Sequence, residues 1–382
     1  FVRKRFVSIE FMAIGLCSHF LIDLCGQFLY PLSLGPEDLL GTFSCLDGVT
    51  VEGRRWCKNV SFISELLSSS ITEVGNWPIR SIQHLGQISG VSVNPAGQPV
   101  IFHRGPKIWD SGSFNESNYF QEGTEEPIRV DTVITLDAET GNILSSWGGG
   151  IFFLPHGIHV DFEGNIWLTD VALHQVFKRP NHKRPLLTFG KRFKPGSDFG
   201  HLCKPTSVAV ASDGHIFIAD GYCNSRILKF NHFGDLERVF PQNEEFVSLK
   251  VPHSITLLEK QNLLCIADRE NMRIVCVNPE MDHSVVRTQH SIQQADLGRV
   301  FAVANSDDMI YAINGPTSPN LPVQGFTIEP LSGRIIHRWE PTSDVRLFSK
   351  LKWLFIGSKW SVKVIDAQRS DIHSPYVFLV KK

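Results

Sequence analysis

The stretch PTSVAVASDGHIFIADGYCNSRILKF, residues 205–230, decides the fold because two other stretches of the chain repeat its pattern. Each copy has a proline, an alternating apolar run, a turn, a second apolar run that ends in aspartate, a short polar connection and a third run. Runs of this length and alternation are typical of β-strands. The other copies begin at Pro155 and Pro252, and the three aspartates are Asp170, Asp220 and Asp268.

Weaker copies of the pattern extend the repeat to six units. They are SGVSVNPAGQPVIFHRG at 89–105, FAVANSDDMIYAINGP at 301–316 and LKWLFIGSKWSVKVID at 351–366. Strand-built repeats with a period of about 50 residues indicate a β-propeller, whose blades bury their faces against one another. We therefore predict an all-β, six-bladed β-propeller over residues 71–382.

The overall charge excludes some classes of partner. The 382 residues contain 37 Lys and Arg against 39 Asp and Glu, a formal net charge of −2. This balance gives no net field that would attract nucleic acid or an anionic membrane surface. We therefore expect no nucleic-acid partner.

Residues 1–70 differ from the repeats and form a poorly defined N-terminal segment. A basic cluster at residues 3–5 precedes an apolar stretch, the order found in a secretory signal or signal anchor. A buried helix has the same composition and stays open, whereas Asp23 disfavours a spanning helix at a cost of about 2.5–3.5 kcal/mol. Membrane association is thus expected only through such an anchor. The sequons at Asn59 and Asn115 weakly support a glycoprotein of the secretory pathway.

Two histidines occupy the same place in two of the repeats. His156 and His253 each follow the proline that opens the repeat, while Thr206 and Ser89 hold that place in two other units. In a propeller the loops that lead into the innermost strands converge at one mouth of the channel, so both imidazoles are predicted to face one axial space. Neutral imidazole is a good zinc ligand. The alternative is that each histidine only hydrogen-bonds a neighbouring loop.

Seven short motifs carry a family resemblance. GQISGV, VIFHRG, LPHGI, TDVALHQVFK, DGYCNSRI, VPHSI and ADRENMRI resemble the catalytic core of the peptidyl-α-hydroxyglycine α-amidating lyases, which are six-bladed propellers of the NHL-repeat class. The match runs from about Leu85 to about Trp339. The resemblance implies a zinc-dependent lyase that cleaves a peptide ending in α-hydroxyglycine to a peptide amide and glyoxylate, the second step of C-terminal amidation. It also implies a peptidylglycine monooxygenase as functional partner, in the secretory granule lumen or outside the cell.

The resemblance implies roles for individual residues. His156 and His253 match two of the three zinc ligands, and Tyr222 in DGYCNSRI matches the base that acts on the α-hydroxyl. A free phenol, with a pKa of about 10, needs nearby positive charge for this role. Arg104 in FHRG could supply that charge and also hold the substrate carboxylate. The 220–224 stretch, which contains Tyr222, has one residue more than its counterpart in the next repeat. The extra residue also favours a site at this stretch.

The family also binds calcium in the channel, and the matching positions are Val91 and Ile158, through their backbone carbonyls. Two other functions stay open. An NHL-type binding propeller without catalysis needs only a shaped face. A calcium-dependent propeller hydrolase would need several channel carboxylates, which the sequence does not identify.

Four of the eight cysteines lie in the repeats, and none of these four forms a CxxC pair, which argues against a zinc knuckle. In a secreted chain, short-range disulfides are their natural use. We predict that Cys203 pairs with Cys223, which ties the Tyr222 loop to its own blade. We also predict that Cys265 pairs with Cys276 across two strands joined by a turn.

The sequence departs from the family near its C-terminal end. A third zinc histidine is expected where the final blade begins, yet EPTSDVRLFSKLKWLFIGSKWSVKVID, residues 340–366, contains no histidine. His337 and His373 are the nearest and are weak substitutes. We therefore expect an incomplete last blade that lacks its leading loop and first strand. A catalytically weak lyase or an inactive NHL-type binding propeller is the alternative that this departure raises.

Overall fold

The part of the chain that is described is all-β. The computed structural model describes residues 72–74, 77–78, 85–179, 184–240, 248–279, 289–340, 353–355, 363–365 and 377–381. In these ranges the only helical elements are two short 3-10 turns, Glu259–Gln261 and Arg269–Asn271. No helix in this part of the chain is long and apolar enough to cross a membrane. The predictions for residues 1–70 lie outside the described residues.

Five sheets of four consecutive antiparallel strands follow β1 (Thr72–Val74). Blade 1 contains β2 (Ile88–Val93), β3 (Pro99–His103), β4 (Val133–Leu136) and β5 (Ile143–Trp147). Blade 2 contains β6 (Pro155–Val160), β7 (Ile166–Asp170), β8 (Gln175–Arg179) and β9 (Leu187–Phe189). Blade 3 contains β10 (Ser207–Val210), β11 (Ile216–Asp220), β12 (Arg226–Phe230) and β13 (Leu236–Phe240).

The remaining two of these blades have the same order. Blade 4 contains β14 (Pro252–Leu258), β15 (Leu263–Asp268), β16 (Arg273–Val277) and β17 (Gln289–Ile292). Blade 5 contains β18 (Val300–Ser306), β19 (Met309–Asn314), β20 (Gly325–Ile328) and β21 (Ile335–Trp339). The first strands of successive blades lie side by side around the axis. The structure is therefore an all-β propeller, as predicted, but the described residues show five blades where six were predicted.

The core lies between neighbouring blades. Every residue of β7, β11 and β15 is buried, because a blade covers each face of these second strands. Phe217 and Ile227 of blade 3, for example, share one apolar cluster with Ile255 of blade 4. Burial of one such side chain stabilises the fold by about 1.5–3 kcal/mol, which explains the apolar strands of the repeat.

The aspartate that ends each repeat's second strand is structural. Asp220 accepts hydrogen bonds from the Cys203 amide at 2.8 Å and from Arg226 Nε at 2.9 Å. Asp268 similarly accepts from the Lys250 amide at 2.6 Å and from Arg273 Nε at 2.7 Å. Each carboxylate thus joins the start of a blade to its third strand, and this function accounts for the repeated aspartate.

A further four-stranded sheet corrects one expectation about the C-terminal end. Its order is β1-β24-β23-β22, with β22 (Trp353–Phe355), β23 (Lys363–Ile365) and β24 (Val377–Lys381). β22, from the KWLFIGS motif, lies against β18 and β2 and so takes the innermost place. The prediction that the first strand is missing is therefore wrong. Its physical reason is that β1 fills the outer place, so the C-terminal strands supply the three inner ones.

Candidate active site

Irregularities at the start of the innermost strands create the axial positions. The strand pairing shifts between Ile88 and Gly90, Pro155 and Ile158, Pro252 and Ser254, and Val300 and Ala302. Such a bulge re-aims the side chain within it. The axial positions are His156, Thr206 and His253, which follow the proline that opens a repeat, and Ser89 and Phe301, which hold the same place in blades 1 and 5.

Glycines allow the blades to approach closely at these positions. A Cβ on Gly157, next to His156, would lie 2.4 Å from the Thr206 carbonyl oxygen. A Cβ on Gly221, next to Tyr222, would lie 2.2 Å from the Pro252 carbonyl oxygen. Because no side chain fits at either place, glycine is required for this geometry.

Backbone carbonyls of the next blade orient both axial histidines. His156 Nδ1 lies 2.9 Å from the Thr206 carbonyl oxygen, and His253 Nδ1 lies 2.6 Å from that of Phe301. A carbonyl only accepts, so the hydrogen-bond network assigns the imidazole proton to Nδ1 in each ring. Each histidine thus hydrogen-bonds a neighbouring loop through Nδ1. The same bond presents Nε2, with its lone pair, to the axial space, as in metal-binding histidines.

The Tyr222 hydroxyl lies between the two imidazoles. It is 3.0 Å from His156 Nε2 and 3.0 Å from His253 Nε2, and the two rings have centroids 5.1 Å apart. The hydroxyl has one hydrogen and can donate it to only one of the two nitrogens at a time. The structure therefore brings together the three residues that the sequence singled out.

The predicted disulfides are confirmed. Cys203 and Cys223 are bonded, with Cα atoms 5.5 Å apart, so the bond ties the residue after Tyr222 to the chain ahead of β10. Cys265 and Cys276 are bonded and lie directly opposite each other in β15 and β16. The first disulfide holds the loop that presents the Tyr222 hydroxyl.

Burial and two arginines act in opposite directions on Tyr222. Burial raises the pKa of the Tyr222 phenol, while the positive charges of Arg269 and Arg104 lower it. The Arg269 guanidinium lies 5.3 Å from the Tyr222 ring centroid and pairs with Glu270 at 2.8 Å. Burial is the larger effect, so the pKa of the Tyr222 phenol lies above its ordinary value and the two guanidiniums offset only part of the rise.

Arg269 is a site residue that the sequence reasoning missed. It directly follows Asp268, where the other two strong repeats have Val171 and Gly221. A charged residue where the other repeats have apolar or small ones was a usable signal. Arg104, which the sequence did predict, is buried, donates from Nε to the Pro155 carbonyl oxygen at 2.9 Å and from Nη1 to Gln87.

The innermost strands enclose a cavity of about 140 Å³ along the axis. The two predicted calcium positions, Val91 and Ile158, border it. None of the described lining residues is Asp or Glu, whereas Ca²⁺ sites in proteins usually include carboxylates. His159 also borders the cavity, and burial lowers its pKa to about 4, so the imidazole is neutral near pH 7. The described lining thus offers neutral donors to an ion.

In the described residues, two histidine nitrogens converge on the Tyr222 hydroxyl. Within the described ranges, no three or more His, Cys, Asp or Glu side chains form a group that could hold a metal. His337 lies in the outer strand β21, paired with Thr327, and is not brought to the axis. His373 and residues 341–352 lie outside the described residues.

The fold and site define a class of protein, the NHL-repeat β-propellers. The NHL repeat family matches residues 202–230 and 249–277. A solved gluconolactonase from Xanthomonas campestris has a TM-score of 0.50 at 11% identity, covering 78% of this chain and 86% of that one. At that identity, the likeness shows the fold alone.

Two curated relatives narrow the class to a family. The chain is 52% identical over 297 residues to peptidyl-alpha-hydroxyglycine alpha-amidating lyase 2 of Drosophila melanogaster, covering 77% of this chain and 72% of the fly protein. It is 40% identical over 316 residues to peptidyl-glycine alpha-amidating monooxygenase B of Xenopus laevis, covering 79% of this chain but 35% of the frog protein. The chain belongs to the peptidyl-α-hydroxyglycine α-amidating lyase family.

Proposed function

We propose that this chain cleaves peptides ending in α-hydroxyglycine to a peptide amide and glyoxylate. The observation that carries this proposal is the Tyr222 hydroxyl, 3.0 Å from each of two converging imidazole nitrogens. The reaction removes the α-hydroxyl proton, forms the aldehyde carbonyl of glyoxylate and breaks the carbon–nitrogen bond. The amide nitrogen takes the bond's electron pair and a proton, so no water is consumed.

Zinc fits the axial histidines and is part of the proposal. Both Nδ1 atoms donate to carbonyls, so His156 Nε2 and His253 Nε2 have lone pairs directed toward one point. When bound there, zinc supplies a Lewis acid that lowers the pKa of the α-hydroxyl. The fit is incomplete in the described residues, where a third histidine is not found.

The protein's own groups would move the proton and hold the substrate. Tyr222 takes the α-hydroxyl proton as phenolate; burial raises the pKa of the phenol, and the positive charges of Arg269 and Arg104 offset part of that rise. A guanidinium also suits the terminal carboxylate of hydroxyglycine, and Arg104 is our choice for this contact. Protonated Tyr222 can then return the proton to the departing amide nitrogen.

Calcium stays a proposal for the Val91 and Ile158 carbonyls. Both residues border the axial cavity, but the described lining provides no carboxylate. We therefore assign calcium no catalytic step.

We also propose that β1 and β22–β24 form a sixth blade that closes the ring. The support is the antiparallel four-stranded order of this sheet and the position of β22 between β18 and β2. A closed ring buries both faces of every blade, which removes the exposed edges that an open ring would have.

The secretory pathway is the proposed location. Two disulfides suit an oxidising compartment, and Asn115 of the second sequon is exposed to solvent. A peptidylglycine monooxygenase is the proposed functional partner, since frog and mouse relatives are named as amidating monooxygenases. Such an enzyme would supply the hydroxyglycine substrate.

An inactive NHL-type binding propeller is the second candidate, and the absence of histidine from residues 340–366 favours it. One experiment separates the two candidates. Purified 382-residue protein is incubated with a hydroxyglycine-extended peptide, and glyoxylate is measured with and without a zinc chelator. Chelator-sensitive glyoxylate release supports the lyase; peptide binding without glyoxylate supports the binding propeller.

A further inference from the structure

One loop of blade 1 is much longer than its counterparts. It spans residues 104–132 between β3 and β4, whereas the same connection is 171–174 in blade 2 and 269–272 in blade 4. The other four blades described make this connection with four to ten residues. The additional chain therefore calls for an explanation other than closure of the blade.

The blade 1 loop has a defined structure of its own. Phe114 and Phe120 form a bridge, and Ser113 Oγ donates to Glu122 at 2.6 Å. Lys204, from the chain ahead of blade 3, donates to Asn118 Oδ1 at 2.7 Å and lies 4.7 Å from the Phe114 ring centroid. Contacts within the loop, and contacts with the chain ahead of blade 3, thus hold the loop in place. It lies at the mouth of the channel, beside the axial site.

The loop brings Trp109 against the reacting groups. The indole ring centroid lies 4.8 Å from that of Tyr222 and 5.8 Å from that of His156. The Arg104 guanidinium lies 5.3 Å from the same indole. Trp109 is only partly buried, and the adjacent Ile108 is 52% exposed. An apolar surface therefore extends from the Tyr222 ring toward solvent.

We propose that Trp109 determines specificity for the residue that precedes α-hydroxyglycine, favouring an aromatic or large apolar side chain there. This inference rests on the proposed function. Two substrate groups flank the reacting carbon and nitrogen: the terminal carboxylate, which guanidiniums bind, and the preceding residue, whose Cα is two bonds from the reacting nitrogen. That side chain must lie beside the reacting groups, and it gains most from an aromatic surface.

Phe301 is the other large aromatic residue at the described axial site, but it fits this role less well. Its ring lies 5.3 Å from that of His253, and the Arg269 guanidinium is 5.1 Å from it. A Cβ on Gly315 would lie 2.3 Å from the ring, so the backbone already covers one part of it. Both residues are partly exposed, but Trp109 is next to the exposed Ile108, whereas Phe301 lies between the buried Val300 and Ala302.

The test uses two hydroxyglycine-extended peptides that differ only in the preceding residue, Phe or Ser. The wild-type protein should prefer the Phe peptide. Trp109→Ala should lower kcat/KM for that peptide about tenfold, mainly through KM, because one aromatic contact is lost. The Ser peptide should be little affected, and Trp109→Phe should restore most of the preference. Tyr119→Ala is the control, since Tyr119 is on the same loop and 47% exposed.

A binding measurement keeps the inference testable when turnover is low. Calorimetry with the glycine-extended forms of the two peptides, which keep the terminal carboxylate, should show the same preference and its loss in Trp109→Ala. Equal affinity for both peptides, or equal loss for both in the variant, would overturn the specificity role. Selective binding without any glyoxylate would instead contradict the proposed lyase function and leave the specificity role standing.

Discussion

At the residue scale, the chemistry depends on one hydroxyl group. Tyr222 is held by a disulfide-linked loop, by Trp109 on one side and by Arg269, and its oxygen reaches both axial imidazoles. This arrangement separates two roles, because packing depends on the ring and proton transfer depends on the hydroxyl.

Tyr222→Phe should therefore abolish most turnover and leave the fold intact. The substitution keeps the ring contacts and removes only the hydroxyl, and loss of a general base typically costs about 100-fold or more in kcat. Glyoxylate release gives the rate, thermal melting gives the stability, and metal analysis after gel filtration gives the zinc content. Unchanged turnover with a lowered melting temperature would mean that the hydroxyl serves packing.

His103 provides a second test, in which pH reports on a buried imidazole. Burial lowers its pKa from 6.5 to about 4, and its Nδ1 accepts from the Gly105 amide at 3.1 Å and the Gly86 amide at 3.3 Å. Between pH 6.5 and about pH 4, His103 is therefore protonated in the unfolded chain but neutral in the folded chain. His103 makes its full contribution to the free energy of unfolding above its pKa in the unfolded chain. This contribution is lost as the pH falls toward its pKa in the folded chain.

His103→Gln should remove this pH dependence, since an amide oxygen can accept the same hydrogen bonds without titrating. Between pH 7 and pH 4 the wild-type free energy of unfolding should fall by about 3 kcal/mol more than that of the variant. Denaturant titrations at several pH values measure the difference. Parallel curves for the two proteins would show that His103 is protonated in the folded state.

At the element scale, the repeated pattern predicts where the strands and axial residues lie, but it does not predict which side chains contact one another. The repeated pattern predicts the strands, the positions of the axial histidines and both disulfides, because each unit has the same order of strands and turns. The 104–132 loop is far longer than the same connection in the other units, so the repeated pattern did not place Trp109 beside Tyr222. The pairing of β1 with β24 was likewise missed, since it joins two strands far apart in sequence and leaves no local pattern.

Asp268→Asn tests the structural role of the repeated aspartate. It should destabilise the protein by about 3 kcal/mol, because the change removes the negative charge that faces Arg273 Nε at 2.7 Å in a buried site. Asparagine is compatible with this position in blade 5, where Asn314 stands in place of the aspartate and its side-chain oxygen accepts a hydrogen bond from the Gln324 amide. The denaturation midpoint measures the effect.

Asp308→Asn is the matched control for that variant. Asp308 is also an ion-pair carboxylate, 3.6 Å from Lys260, but both side chains are largely exposed. Exposed pairs contribute about 0–1 kcal/mol, so this change should be nearly neutral. Equal effects at the two positions would refute the buried-bridge explanation.

At the scale of the whole molecule, the open question is which residue takes the axial position of the proposed sixth blade. The pairing Trp353↔Ile365 corresponds to Ser254↔Ala267 of blade 4, so the repeat makes position 352 the sequence counterpart of His253. The sequence has lysine at 352. An axial set with two histidines should bind zinc weakly and lack part of the oriented shell that catalysis needs. We therefore expect this chain to have little lyase activity.

Lys352→His should then raise zinc affinity and glyoxylate release together, each by about tenfold or more, the scale on which supporting groups change metal affinity. Competition with a chelator of known affinity measures the first, and the peptide assay measures the second. Lys350→His is the control, because the same substitution two residues earlier does not occupy the repeat's axial place. Full, chelator-sensitive turnover by the unmodified chain, with no gain from Lys352→His, would show that another group completes the zinc site. In that case the ring would need only two axial histidines, and the departure from the family at residues 340–366 would have no catalytic cost.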